Sequence, residues 1–69
     1  MKIRKNKIAG YRVHLGMTQK DIARYLKISV QSYSNKENGN RNFNDQEKIK
    51  LKALFQQIDS DLTIDKIFF

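Results

Sequence analysis

Apolar positions in this chain recur at helical spacing, in short runs separated by polar breaks. Ile8, Tyr11, Arg12 and Leu15 fall at i, i+3, i+4 and i+7, which predicts a first helix over about residues 6–15 with one buried stripe. Gly16 ends it. Thr18 is placed to cap a second helix, with Asp21 three residues later at the reciprocal capping position, and Ile22, Ala23 and Leu26 give that helix one apolar face. Lys27-Ile28 forms a turn. Ser29 caps a third helix around the single large anchor Tyr33, and Gly39 stands where a left-handed backbone closes it. Asn40-Arg41-Asn42 reads as a polar loop. Asn44 with Glu47 repeats the capping-box spacing at the start of a fourth helix, whose inner face is expected from Ile49, Leu54, Phe55 and Ile58, with Lys48, Lys50 and Lys52 toward water. Asp59-Ser60-Asp61 breaks it, and Thr63 caps a last turn carrying Ile64, Ile67 and Phe68.

The fold class predicted is therefore all-α, with five short helices. Proline is absent, and strand-like alternation is scarce. The 69 residues suffice for one domain, 1–69, divided into a basic arm (1–5), a helix pair (18–39) and an apolar C-terminal turn (59–69).

The face of the third helix opposite Tyr33 changes the picture from fold to chemistry. It carries small or amide-bearing side chains: Gln31, Ser32, Ser34 and Asn35. A helix that buries one side and presents amides and hydroxyls on the other suits a surface that reads base edges. Charge points the same way. Residues 1–42 hold ten Lys or Arg against two acidic residues, whereas residues 43–69 hold four against five. An uneven positive field of this kind favours a polyanion partner.

Other chemistries have little support. Cysteine is absent and His14 is the only histidine, so neither a disulfide, a metal site nor a cofactor is expected. There is no Gly-rich phosphate loop, no His-based nucleophile pair and no carboxylate dyad, and an enzyme is not expected. No apolar run approaches membrane-spanning length, which predicts a cytoplasmic, nucleoid-associated protein with no membrane partner.

Residues 6–58 resemble the helix-turn-helix domain of phage repressors and Cro-like proteins, the xenobiotic-response-element family. Leu15-Gly16-Met17-Thr18-Gln19, Ile22-Ala23, Leu26, Ile28-Ser29, Tyr33-Ser34 and Glu37-Asn38-Gly39 carry the resemblance. It implies a lambda-repressor-like fold. It also implies base contacts from Val30, Gln31, Ser34 and Asn35, and phosphate contacts from Gln19, Lys36, Asn38, Asn40 and Arg41. Arg12 and Glu37 are implied as a partly buried structural salt bridge. The basic arm (Lys2, Arg4, Lys5) is a further candidate for the DNA backbone or minor groove. Two positions depart from the family pattern. Lys27 replaces the usual glycine of the inter-helix turn, which points to a strained or reshaped turn. Lys36 replaces a larger apolar residue, and its stem is expected over the core edge with the amine at phosphate level.

The function expected is a sequence-specific transcriptional regulator, Cro-like or repressor-type, from a prophage or mobile element. It would bind double-stranded DNA as a homodimer on a pseudo-palindromic operator. The competing class is a protein-binding module, such as an antirepressor engaging a second phage regulator; an antitoxin or controller subunit differs only in genetic context. Ile64, Ile67, Phe68 and Phe69 are the candidate association surface, with Ile64 and Ile67 expected inward and Phe68 or Phe69 partly available.

Overall fold

The computed structural model describes residues 7–69, so the arm residues Lys2, Arg4 and Lys5 lie outside the described residues. Five α-helices follow one another: α1 Lys7–His14, α2 Gln19–Leu26, α3 Val30–Glu37, α4 Asp45–Phe55 and α5 Ile64–Phe68. No strand occurs among the described residues.

Local chemistry sets the starts. Thr18 accepts from the Asp21 amide while the Asp21 carboxylate accepts from the Thr18 amide, and Asn44 and Glu47 repeat the exchange at α4. Ser29 and Thr63 cap α3 and α5 through their hydroxyls.

The ends of α1, α2 and α3 share one device. Each closes with a six-to-one backbone bond wrapped around a five-to-two bond: Met17 to Arg12 at 3.1 Å, Ile28 to Ala23 at 3.0 Å and Asn40 to Asn35 at 2.9 Å form the outer bonds. The left-handed residue is Gly16 (φ +75°) at the first and Gly39 (φ +86°) at the third. At the second it is Lys27, with φ 60° and ψ 42°. The lysine thus does not reshape the inter-helix turn. It adopts the glycine conformation, and the turn holds it there by its two hydrogen bonds.

The core is made by Ile22, Ala23 and Leu26 of α2, Tyr33 of α3, Leu51 and Phe55 of α4, Ile67 of α5, and the loop residues Phe43 and Leu62. α1 contributes no fully buried residue; it lays Ile8 and Tyr11 against this core, joined by Leu15 just after it, with the Tyr11 ring 5.0 Å from that of Phe55. Phe43 was not expected here. It stands directly after the polar loop, yet it is 6% exposed and bridges two aromatic neighbours, Tyr33 at 6.1 Å and Phe68 at 5.6 Å.

The inner face of α4 also differs from the expected one. Ile49 is 55% exposed, and the buried positions are Glu47, Leu51 and Phe55. These lie four residues apart and share one side, whereas Ile49, two residues from Leu51, is turned about 200° away at 100° per residue. Leu54 and Ile58 are half-buried. Of the C-terminal apolar residues, Ile67 is buried, Ile64 and Phe68 are half-buried, and Phe69 is 78% exposed.

The left-handed lysine makes a testable statement. A non-glycine residue in this conformation costs roughly 1–2 kcal/mol, and glycine returns part of that through unfolded-chain entropy, roughly 0.5–1 kcal/mol. Lys27→Gly is therefore expected to stabilise the domain by up to ~1 kcal/mol, a few degrees in melting temperature for a chain of this size. Calorimetry checks it; a lower melting temperature would show that Lys27 is not strained.

Candidate nucleic-acid interface

α3 has two faces, and what is tied down on one determines what is presented on the other. On the inner side Tyr33 is fully buried and Glu37 is 7% exposed. The Glu37 carboxylate receives four donors from three helices. Arg12 Nε donates to Oε2 at 2.8 Å and Nη2 to Oε1 at 3.5 Å. Gln19 Nε2 donates to Oε1 at 2.9 Å, and the Tyr33 hydroxyl to Oε2 at 2.6 Å. Arg12 Nη1 donates in turn to the Met17 carbonyl at 2.9 Å, in the loop between α1 and α2. No buried side-chain nitrogen or oxygen among the described residues lacks a partner.

The electrostatics follow. Burial pushes the Glu37 carboxyl up, but the hydrogen bonds from Arg12, Tyr33 and Gln19 and the Arg12 charge outweigh it, so it titrates below the usual glutamate value. The hydrogen bond to Glu37 holds the Arg12 guanidinium above its ordinary value. Burial and the bond to Glu37 drive the Tyr33 phenol far up, and it stays a neutral donor.

A second ion pair fixes the C-terminal end of α3. Lys36 Nζ lies 2.8 Å from both oxygens of Glu47, and the two side chains are only 12% and 8% exposed. Glu47 is also the capping residue of α4, accepting from the Asn44 amide at 2.9 Å. This differs from the expected role of Lys36. Its side chain is nearly buried, and its ammonium is held on a carboxylate inside the molecule rather than presented at phosphate level. The attraction of a nearly dry carboxylate, held in place by its own capping bond, is the reason.

The remaining side chains singled out in the sequence belong to α3, the loop after it and the start of α2. Val30 and Gln31 are exposed at the start of α3, and Ser34 and Asn35 are half-exposed one turn on. Asn38, Asn40 and Arg41 are exposed in the loop that leaves the helix. The Asn35 carbonyl accepts from the amides of both Asn40 (2.9 Å) and Arg41 (3.2 Å), so this loop is folded back on α3. Gln19 sits at the start of α2 with its amide nitrogen already on Glu37, which ties α2 to α3. The tight α2–turn–α3 unit, with an inward-anchored second helix and polar side chains outward, is a helix-turn-helix.

A family model for the helix-turn-helix domain matches residues 8–59. The chain belongs to the xenobiotic-response-element family of helix-turn-helix proteins. No curated protein and no solved structure matches it significantly. The five-helix, lambda-repressor-like architecture is that of the family, and the chain is a DNA-binding regulator of this type. No helix among the described residues is long and apolar enough to cross a membrane, and no group of three potential metal-ligating side chains occurs among them.

In this family member the buried carboxylate gives a stability prediction. Glu37→Ala leaves Arg12 and the Tyr33 hydroxyl without their partner in a nearly dry site, at a cost of roughly 3–5 kcal/mol. Replacing Arg12 and Glu37 together by leucine should recover much of that. The pH dependence has a definite sign. Because the folded-state value is depressed, the Glu37 contribution is complete above the ordinary value of 4.5 and is lost as pH falls through the lower folded value. Melting curves from pH 7 down to 3 should show an acid-side decline that is shallower in Glu37→Gln. An equal slope in both proteins would place the linkage elsewhere.

Proposed function

We propose that the protein is a repressor-type, Cro-like switch regulator that reads an operator through α3. The observation that supports this most is the division of α3 into two faces. Tyr33 and Glu37 fix its inner side to α1 and α2, while Val30 and Gln31 are exposed and Ser34 and Asn35 half-exposed. In this reading α3 lies in the major groove with its N-terminal residues toward base edges. Gln31 suits the paired acceptor and donor of adenine, and Val30 the methyl group of thymine. Ser34 and Asn35 lie one turn deeper and read or brace the next step.

Gln19, Asn38, Asn40 and Arg41 grip phosphates on either side. Arg41 is the chief charged member of that set, because Arg12 and Lys36 are neutralised by Glu37 and Glu47. Two copies on a pseudo-palindrome place their reading helices about one DNA turn, ~34 Å, apart. Regulation is steric: a dimer seated across a promoter excludes polymerase. In this reading the regulator belongs to a prophage or mobile element.

Two substitutions separate the roles. Gln31→Ala should cost ~1–3 kcal/mol on the preferred site and relax selectivity at one base pair. Arg41→Ala should weaken all sequences about equally and make the dependence of affinity on salt shallower. Fluorescence anisotropy on DNA selected from random sequence, over a salt series, checks both. If no sequence is enriched and salt has no effect, the regulator reading fails and a protein-binding module replaces it.

A further inference from the structure

Away from the outer face of α3, a cleft of about 320 Å³ opens between α1, the loop after α3, and the C-terminal turn. Its apolar wall is aromatic. Phe43 and Phe68 meet edge to face at 5.6 Å, and Phe69 lies beside them, 78% exposed. Its rim is cationic: Lys7, Arg41 and Lys48 line it from three different segments. The Lys48 ammonium hovers 5.8 Å from the Phe68 ring and 5.2 Å from the Phe69 ring, held by the ring faces. Among the described residues, Glu37 is the one acidic side chain lining the cleft, and its oxygens are already taken by Arg12, Gln19 and Tyr33. Lys36 also lines it but is neutralised by Glu47.

We propose that this cleft is a docking site for an acidic segment of a partner protein, which lays one aromatic side chain against Phe68 and Phe69 and its carboxylates on Lys7, Arg41 and Lys48. The volume is at the low end for a ligand pocket and suits one or two side chains rather than a whole small molecule. The aromatic floor supplies the buried anchor on which most binding energy at such sites depends. The cationic rim selects the flanking residues, since carboxylates can pair with Arg41, Lys48 and Lys7, the last of which, among the described residues, donates only to the neutral Lys66 carbonyl at 3.1 Å. Phe69, 78% exposed at the cleft mouth, gains burial when an anchor covers it. The proposal does not depend on DNA recognition by α3, and it is tested without DNA.

The test is a titration of the nitrogen-15-labelled 69-residue chain with an acetylated, amidated peptide, Glu-Asp-Glu-Phe-Asp-Glu, followed by amide NMR shifts at near-physiological salt. Saturable shifts centred on Gly39, Phe43 and Phe69 are expected. Binding should weaken at least tenfold when the peptide's phenylalanine is serine. It should weaken similarly in Phe69→Ser and Lys48→Glu chains, whose melting temperatures, measured in parallel, stay near that of the parent because neither side chain belongs to the buried core. Equal affinity for the serine peptide would mean simple polyanion attraction and would overturn the proposal. Shifts centred on Gln19, Gln31 and Asn35 would overturn it too, by placing the peptide on the outer face of α3. So would a concentration-dependent dimer in sedimentation that Phe69→Ser abolishes, since the occupant would then be a second copy of this chain.

Discussion

A single buried carboxylate, Glu37, constrains the rest of the molecule. It sits at the last residue of α3 and is held by a guanidinium from α1, an amide from α2 and a phenol from its own helix. A carboxylate in so dry a place is tolerable only while these donors remain, so the three helices are fixed relative to one another by what its charge requires. Such a network adds little net stability over an apolar core. What it adds is directional: hydrogen bonds of definite geometry set the rotation of α3 about its axis, where apolar packing around Tyr33 alone would tolerate small turns. A helix that reads base edges needs that rotation fixed, because its side chains must meet donors and acceptors at set positions.

The Lys36–Glu47 pair does a related job at the other side of α3. Glu47 caps α4 and binds Lys36 with the same carboxylate, so the start of α4 and the end of α3 are one unit. Between them, Phe43 is wedged against Tyr33, and the Asn40 and Arg41 amides are fixed to the Asn35 carbonyl. The loop that carries Arg41 is thereby ordered from three directions. Two of the basic side chains that make the N-terminal part of the chain so positive, Arg12 and Lys36, serve structure in this way. The positive field outside is left to the others.

Much of the fold was legible in the sequence because helix termini are local. Thr18 with Asp21, Asn44 with Glu47, Ser29 and Thr63 each satisfy amides within a few residues, and Gly16 and Gly39 mark left-handed closures that need no distant partner. Arg12 and Glu37 were legible only through the family resemblance. Nothing local says that two charges twenty-five positions apart will meet. What the sequence hid has physical causes. The inner face of α4 begins with a glutamate, so a search for apolar periodicity missed its phase and assigned Ile49 in place of Leu51. Phe43 follows three polar residues and belongs to no periodic run, and only the approach of Tyr33 and Phe68 buries it. Lys36 found Glu47 across a loop, a tertiary meeting that composition does not announce. Lys27 was legible as a departure, but its outcome depended on whether two backbone hydrogen bonds outweigh the strain of one side chain.

The most direct measurement is the titration of Glu37 itself. Carbon-13 NMR of its side-chain carboxyl, followed with pH in the folded protein, reports whether the donors from α1, α2 and α3 stabilise the charge. A midpoint below the ordinary glutamate value of 4.5, rising toward it when Arg12 is replaced by leucine, is the result this account requires. A midpoint at or above that value, insensitive to Arg12, would mean that burial dominates and that α3 is not oriented by a charged network at all.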